Sequence, residues 1–299
     1  MTVIELIDQA SARLAQAGVS FGHGTANAFD EAAWLVLWRL GHRLDALDEV
    51  ADLVVEPGDE AAARALIEQR ISSRQPAAAY LTGEAWLQGV PFTVDARVIV
   101  PRSLIAEPLA DGSIESWLAP QTLRVLDLCT GNGSLAVLAA MAWPDVTVDA
   151  ADLSTDALAV AQININRHGL SQRIRLHAGD SLAAVAGRCY DLILCNPPYV
   201  NAQAMAALPA EFKAEPALAL DGNAAGGSDG MDFIRGLLRA APAHLSPDGV
   251  LVLEIGHERE HFEAAFPALD VVWLPTSAGD DQVLLLTRSA LTSPPAPAR

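Results

Sequence analysis

Tyr190-Asp191-Leu192-Ile193-Leu194-Cys195-Asn196-Pro197-Pro198-Tyr199 is the stretch on which the reading of this chain turns. Its apolar run from Tyr190 to Cys195 predicts a buried strand. Two consecutive prolines then hold φ at about −65° and remove two backbone donors, so the strand ends there. The Asn196 side chain and the Pro197 carbonyl are left at the C-terminal end of a strand, where open α/β sheets hold their ligands. Both groups are acceptors, and together they can take the two hydrogens of an –NH2 group. The chemistry implied is work on a planar amide or an exocyclic amine. A plain strand-ending turn would use the same residues without chemistry, so the rest of the chain must decide.

Upstream, Asp127-Leu128-Cys129-Thr130-Gly131-Asn132-Gly133-Ser134 follows a predicted strand over 123–128 and opens a helix. Gly131 and Gly133 permit backbone conformations and close ligand approach that a Cβ would block. Asp152 ends the next predicted strand, about twenty residues on, where a carboxylate can accept both ribose hydroxyls of a nucleoside. Gly131-x-Gly133-x-x-Ala136 also fits the dinucleotide fingerprint, a weak signal alone. Asp127 argues against that reading, because a carboxylate suits an α-amino or sulfonium charge better than a pyrophosphate.

Strands and helices alternate from about residue 104, the pattern of a doubly wound sheet. Further strands are expected at 146–151, 173–177, 190–195, 250–255, 271–274 and 283–287, with Ser154 capping a helix over 155–167. The first 78 residues read as a small helical domain. One helix runs from Val3 to Ala17 and stops at Gly18; a second is capped by Asn27 and ends at Gly41. A third is expected to be capped by Asp59 and stopped by Gln75-Pro76. Residues 79–102 predict a hairpin linker, 103–289 the α/β domain, and 290–299 a Pro-rich disordered tail.

The chain has 299 residues, of which 51% are hydrophobic, enough for a substantial core. Cys129, Cys189 and Cys195 are its three cysteines, with no zinc spacing, and fit a reducing cytoplasm. Met1 to Asp8 carries acids and no basic n-region, so no secretory signal is expected, and no run of apolar residues predicts a membrane span. Nineteen Lys and Arg stand against thirty-seven Asp and Glu, for a formal net charge of −18. That balance supplies no phosphate-binding patch and favours a basic partner, or else serves solubility alone.

The Asn196 tetrapeptide resembles that of amino-methyltransferases, which DNA adenine and protein glutamine enzymes share. The array around Asp127 is similar to the class I S-adenosylmethionine-dependent methyltransferases, an α/β, Rossmann-like fold with a seven-stranded sheet. Over nearly its whole length the chain resembles the HemK-like protein glutamine N5-methyltransferases. The landmarks are Ala79-Tyr80-Leu81-Thr82-Gly83, Val100-Pro101-Arg102, Glu215-Pro216-Ala217-Leu218-Ala219-Leu220, Asp229-Gly230 and Glu254-Ile255-Gly256. Release-factor enzymes of that family carry a second proline where this chain has Ser103. Phe21-Gly22-His23-Gly24-Thr25 and Asp30-Glu31-Ala32 resemble instead the branch that methylates a glutamine of large-subunit ribosomal protein L-three.

The resemblance implies S-adenosylmethionine as cofactor, held by Asp127, Thr130, Gly131, Asn132, Gly133, Ser134, Asp152, Asp180, Ser181 and Asn196. It implies Asn196, Pro197 and Tyr199 as catalytic residues, and Asn196, Pro197, Pro198, Tyr199, Arg102 and Glu215 facing the substrate, with no metal. The expected partner is the basic ribosomal protein, before or during assembly, with the helical domain reading it. No membrane and no specific nucleic acid are expected. Asp221 to Ser228 departs from the family as a longer connection that would reshape the substrate mouth. His23, between two glycines, reads as a structural turn element before it reads as a catalyst. Release factors as substrate, adenine methylation of nucleic acid, and a non-enzymatic assembly factor are the other readings open.

Overall fold

The computed structural model describes residues 1–73, 77–119 and 124–292. Among them, nine strands form a hairpin and a larger sheet. The hairpin pairs β1 (Glu84–Leu87) with β2 (Val90–Thr93). The sheet comprises β3 (Arg124–Leu128), β4 (Thr147–Asp152), β5 (Ile174–Ala178), β6 (Tyr190–Cys195), β7 (Leu245–Glu254), β8 (Val272–Thr276) and β9 (Gly279–Thr287). Its order is β5-β4-β3-β6-β7-β9-β8, parallel except where β9 runs antiparallel to both neighbours. The order reverses between β3 and β6, so the crevice for a ligand lies at the carboxyl ends of that pair. Both strands are buried on both faces, which is why they read as continuous apolar runs.

The expected strands are all present, most with ends shifted by a residue or two, while β9 begins four residues early, at Gly279. The largest shift is in β7, which begins at Leu245 and not at 250. Leu245 already pairs with Tyr190 before an irregularity carries the register to Leu192↔Val250. Ser246 to Gly249 therefore forms a bulged strand entry. The expected start of the first strand at Leu123 and the expected tail beyond Thr292 lie outside the described residues.

Among the N-terminal helices, Val3–Ala17 carries a capping box between Thr2 and Glu5 and ends at left-handed Gly18, and Asn27 caps Ala28–Arg39. Such caps contribute about 1 kcal/mol each. The third helix corrects the reading. It runs Pro57–Ser73 and starts two residues before Asp59, because Pro57 is preorganised for the first turn and leaves Asp59 and Glu60 to face the helix dipole. The expected stop at Gln75-Pro76 lies outside the described residues. Two short helices, Leu47–Val50 and Ala77–Thr82, had no periodic signal, and the second puts Tyr80 in a helix ahead of the hairpin.

Gln88 and Gly89 both adopt positive φ, as a two-residue hairpin turn requires. One buried amide joins the hairpin to the glycine loop. Asn164, on helix Thr155–Arg167, accepts from the Thr93 amide at 2.7 Å and donates to the Thr93 carbonyl at 3.0 Å. Its second donor goes to the Asn132 carbonyl in the glycine loop at 2.9 Å. No helix of the described residues is long and apolar enough to cross a membrane.

Candidate functional site

Asp127 is the penultimate residue of β3, with 1% of its surface exposed. One oxygen, Oδ2, accepts from the Ala136 amide at 2.9 Å and from the Thr130 hydroxyl, which ties the loop to the helix Ser134–Ala142. The other, Oδ1, is buried with no hydrogen-bond partner. Burial pushes this carboxyl up to about 7 against the pull of those two donors, with the Asp152 charge adding to the rise.

The loop turns through left-handed Cys129, Gly131 and Gly133. A Cβ on Gly133 would sit 3.1 Å from that of Ala161, whereas one on Gly131 would meet only open space. Asn132 turns its Oδ1 to the Ser134 amide at 3.2 Å. At the end of β4, Asp152 accepts from the Gly131 amide at 2.9 Å and from Ser154 at 2.8 Å. Burial raises its pKa too, with these amides opposing.

These strand ends open into one cavity of about 400 Å³. Cys129, Gly131, Asp152, Asp180, Ser181, Asn196 and Pro198 line it, so the glycine loop and the end of β6 meet there. Asp127, Thr130, Asn132, Gly133, Ser134, Pro197 and Tyr199 stand outside that lining. The cavity fits an elongated, partly cationic nucleoside such as S-adenosylmethionine on two counts. Asp127, one residue before Leu128 of the lining, keeps a buried oxygen without a donor, and the backbone at Gly131 opens onto free space.

Asn196 lines the cavity, and no described residue hydrogen-bonds its amide, while Pro197 behind it is buried. Tyr199 is held by Glu254 outside the cavity lining. Its hydroxyl donates to Glu254 Oε1 at 3.2 Å, and its ring covers Gly256, where a Cβ would come within 2.5 Å of Cε2. Glu254 also accepts from the Ser103 hydroxyl at 2.6 Å and the Leu104 amide at 2.9 Å. Burial raises its pKa against these donors. Nothing local in Glu254 or Ser103 signals in the sequence that they meet beside Tyr199.

Arg102 and Glu215 come together, but with each other. Two contacts of 2.7 Å join them, the Val100 amide adds a third at 2.8 Å, and neither residue lines the cavity. Burial of Glu215 would raise its pKa, yet His23 and Arg102 hold it down at about 2. His23 is fully buried, 3.6 Å from Glu215, with its ring 4.2 Å from that of Phe212. The connection Asp221–Ser228 runs along the cavity. Asp221 bridges Val200, Asn223 accepts from the Gly230 amide at 2.9 Å, and a Cβ on Gly230 would strike the Tyr199 carbonyl at 2.1 Å.

Residues 114–223 match the family model of the methyltransferase small domain. Proteins named ribosomal protein uL3 glutamine methyltransferase match over nearly the full length. That of Bordetella pertussis is 53% identical, covering 98% of this chain and 97% of its own. That of Burkholderia pseudomallei is 51% identical over 97% and 95%. Among solved structures, the hMettl16 catalytic domain superposes with a TM-score of 0.51 at 14% identity, covering 78% of this chain and 81% of its own, which speaks for the fold alone.

Proposed function

The chain belongs to the ribosomal protein uL3 glutamine methyltransferases, and we propose that it methylates the side-chain nitrogen of a glutamine in uL3, with S-adenosylmethionine as donor. The observation that carries the reading is the Asn196 amide, without a partner among the described residues, in the cavity that the glycine loop also lines. When bound, the cofactor supplies an electrophilic methyl group. Asp127 Oδ1 would hold its charged amino-acid end, Asp152 its ribose, and the Asp180-Ser181 pair would stand near its base.

A glutamine nitrogen is a poor nucleophile because its lone pair is delocalised into the carbonyl. Asn196 Oδ1 and the Pro197 carbonyl accept its two hydrogens, hold the nitrogen in line, and favour its pyramidal form. Orientation and preorganised acceptors supply the rate, and water takes the proton afterwards. Tyr199, fixed by Glu254, stiffens the backbone behind these acceptors. The net charge of −18 supports a basic protein as substrate over nucleic acid, and the substrate in this reading is free or assembling uL3 in the cytoplasm.

Incubation with isotopically labelled S-adenosylmethionine tests this, using free uL3, assembled large subunits, a release factor and duplex DNA. Label on a glutamine of free uL3 alone is expected. Label on the release factor would move the substrate and keep the chemistry, and label only on adenine would overturn the reading.

A further inference from the structure

Residues 209–220 end in a run, Pro216 to Ala219, that reaches the cavity, and little in their own sequence holds them in place. The helix Ala210–Lys213 and the single turn Ala217–Ala219 are too short to persist alone. Their anchors are buried charges contributed from elsewhere in the chain. Arg70, fully buried, lies 2.7 Å from Glu31 and 3.4 Å from Glu211, and donates to the Ser20 carbonyl at 2.9 Å. The Ser20 amide in turn donates to Glu211 at 3.2 Å. Four residues on, Glu215 is clamped by Arg102 and the Val100 amide, with His23 on its open side and Phe212 under the His23 ring.

Buried ion pairs contribute little net stability compared with apolar packing, but their directional bonds fix one geometry. What this geometry fixes is the run directly after Glu215. Pro216, Leu218 and Ala219 line the same cavity as Asn196. Leu218 does so with 52% of its surface exposed, an apolar side chain open to a ligand in the cavity.

We propose that Glu211 and Glu215 are positioning residues through which the N-terminal helices set the place of Leu218, and that Leu218 selects the apolar part of the residue beside the target glutamine. Arg102 and Glu215 then act on the substrate at second hand. The inference rests on reading the cavity as the site of glutamine methylation.

The test is a double-mutant cycle in the full-length protein with uL3 as substrate. Leu218→Ala and Glu215→Gln should each raise KM for uL3 about tenfold while leaving kcat within about threefold. Binding of S-adenosylhomocysteine should be unchanged in both. The double variant should be no worse than Glu215→Gln alone, since a displaced Leu218 has nothing left to lose. Losses that multiply to about a hundredfold would mean that Glu215 touches the substrate itself, and an unchanged KM for Leu218→Ala would remove the selector; either overturns the inference. If Glu215→Gln does not fold, Glu211→Gln takes its place in the cycle under the same criteria. Absence of transfer by the unmodified protein would reject the functional reading itself, whereas normal transfer with multiplying losses rejects only this inference.

Discussion

Cofactor binding should be linked to a proton through Asp127. Its carboxyl rises from an ordinary 3.8 to about 7, chiefly through burial. A folded-state pKa above the unfolded one favours the ligand-free protein most below about pH 4, and that stability is lost as pH rises through 7. That rise corresponds to about 4 kcal/mol. A cation beside Oδ1 reverses the preference, because it needs the ionised form. From pH 6 to pH 8 the ionised fraction climbs from about one-tenth to nine-tenths, so affinity should gain about tenfold. At pH 7, binding should release about half a proton. Calorimetry with S-adenosylhomocysteine, in buffers of different ionisation enthalpy, reads both quantities. Asp127→Asn should bind more weakly and with a flat pH profile. Equal affinity at pH 6 and 8, with no dependence on buffer, would refute the argument.

Asn196→Ala should lower kcat by roughly 10²–10³ with cofactor affinity intact, as for loss of one preorganised hydrogen-bonding group; full activity would remove Asn196 from the mechanism. Asp152→Ala should weaken cofactor binding about tenfold or more, since it deletes a charged acceptor as well as the support of Gly131, and calorimetry showing no change would withdraw the ribose role. Glu215 contributes with the opposite sign to Asp127. Its pKa falls from 4.5 to about 2, so its stabilisation, about 3 kcal/mol, is complete above pH 4.5 and is lost as pH falls toward 2. The stability gap between the native protein and Glu215→Gln in urea titrations should therefore hold above pH 4.5 and narrow by about 1.4 kcal/mol by pH 3.5, and a constant gap would contradict this.

The sheet and the cavity were legible because their signals are local. Proline after Asn196 ends a strand whatever surrounds it, and the glycines after Asp127 write the loop into four residues. The start of the third helix was misread because Asp59 is a good cap and Pro57 a better first residue, and sequence alone does not rank them. Nothing near Tyr199 in the sequence announces its partner Glu254, 55 residues away. Arg102 and Glu215 were singled out together, yet their 113-residue separation hid the fact that each is the other's partner. His23 reads as a turn because two glycines flank it, and only the fold brings Phe212 and Glu215 over it.

Asn164 bears on how far this protein is modular. The hairpin looks like a hinge between a helical piece and a catalytic piece, a natural place to cut. Yet Asn164 spends one donor on the Asn132 carbonyl of the cofactor loop, and its remaining donor and acceptor on Thr93 of the hairpin. A fragment beginning at Ser103 would keep the complete sheet and lose the clasp, leaving a buried amide with one of its three hydrogen bonds beside its own cofactor loop. The catalytic unit that can be transplanted intact thus begins ahead of Glu84, with the hairpin counted as part of the enzyme it introduces.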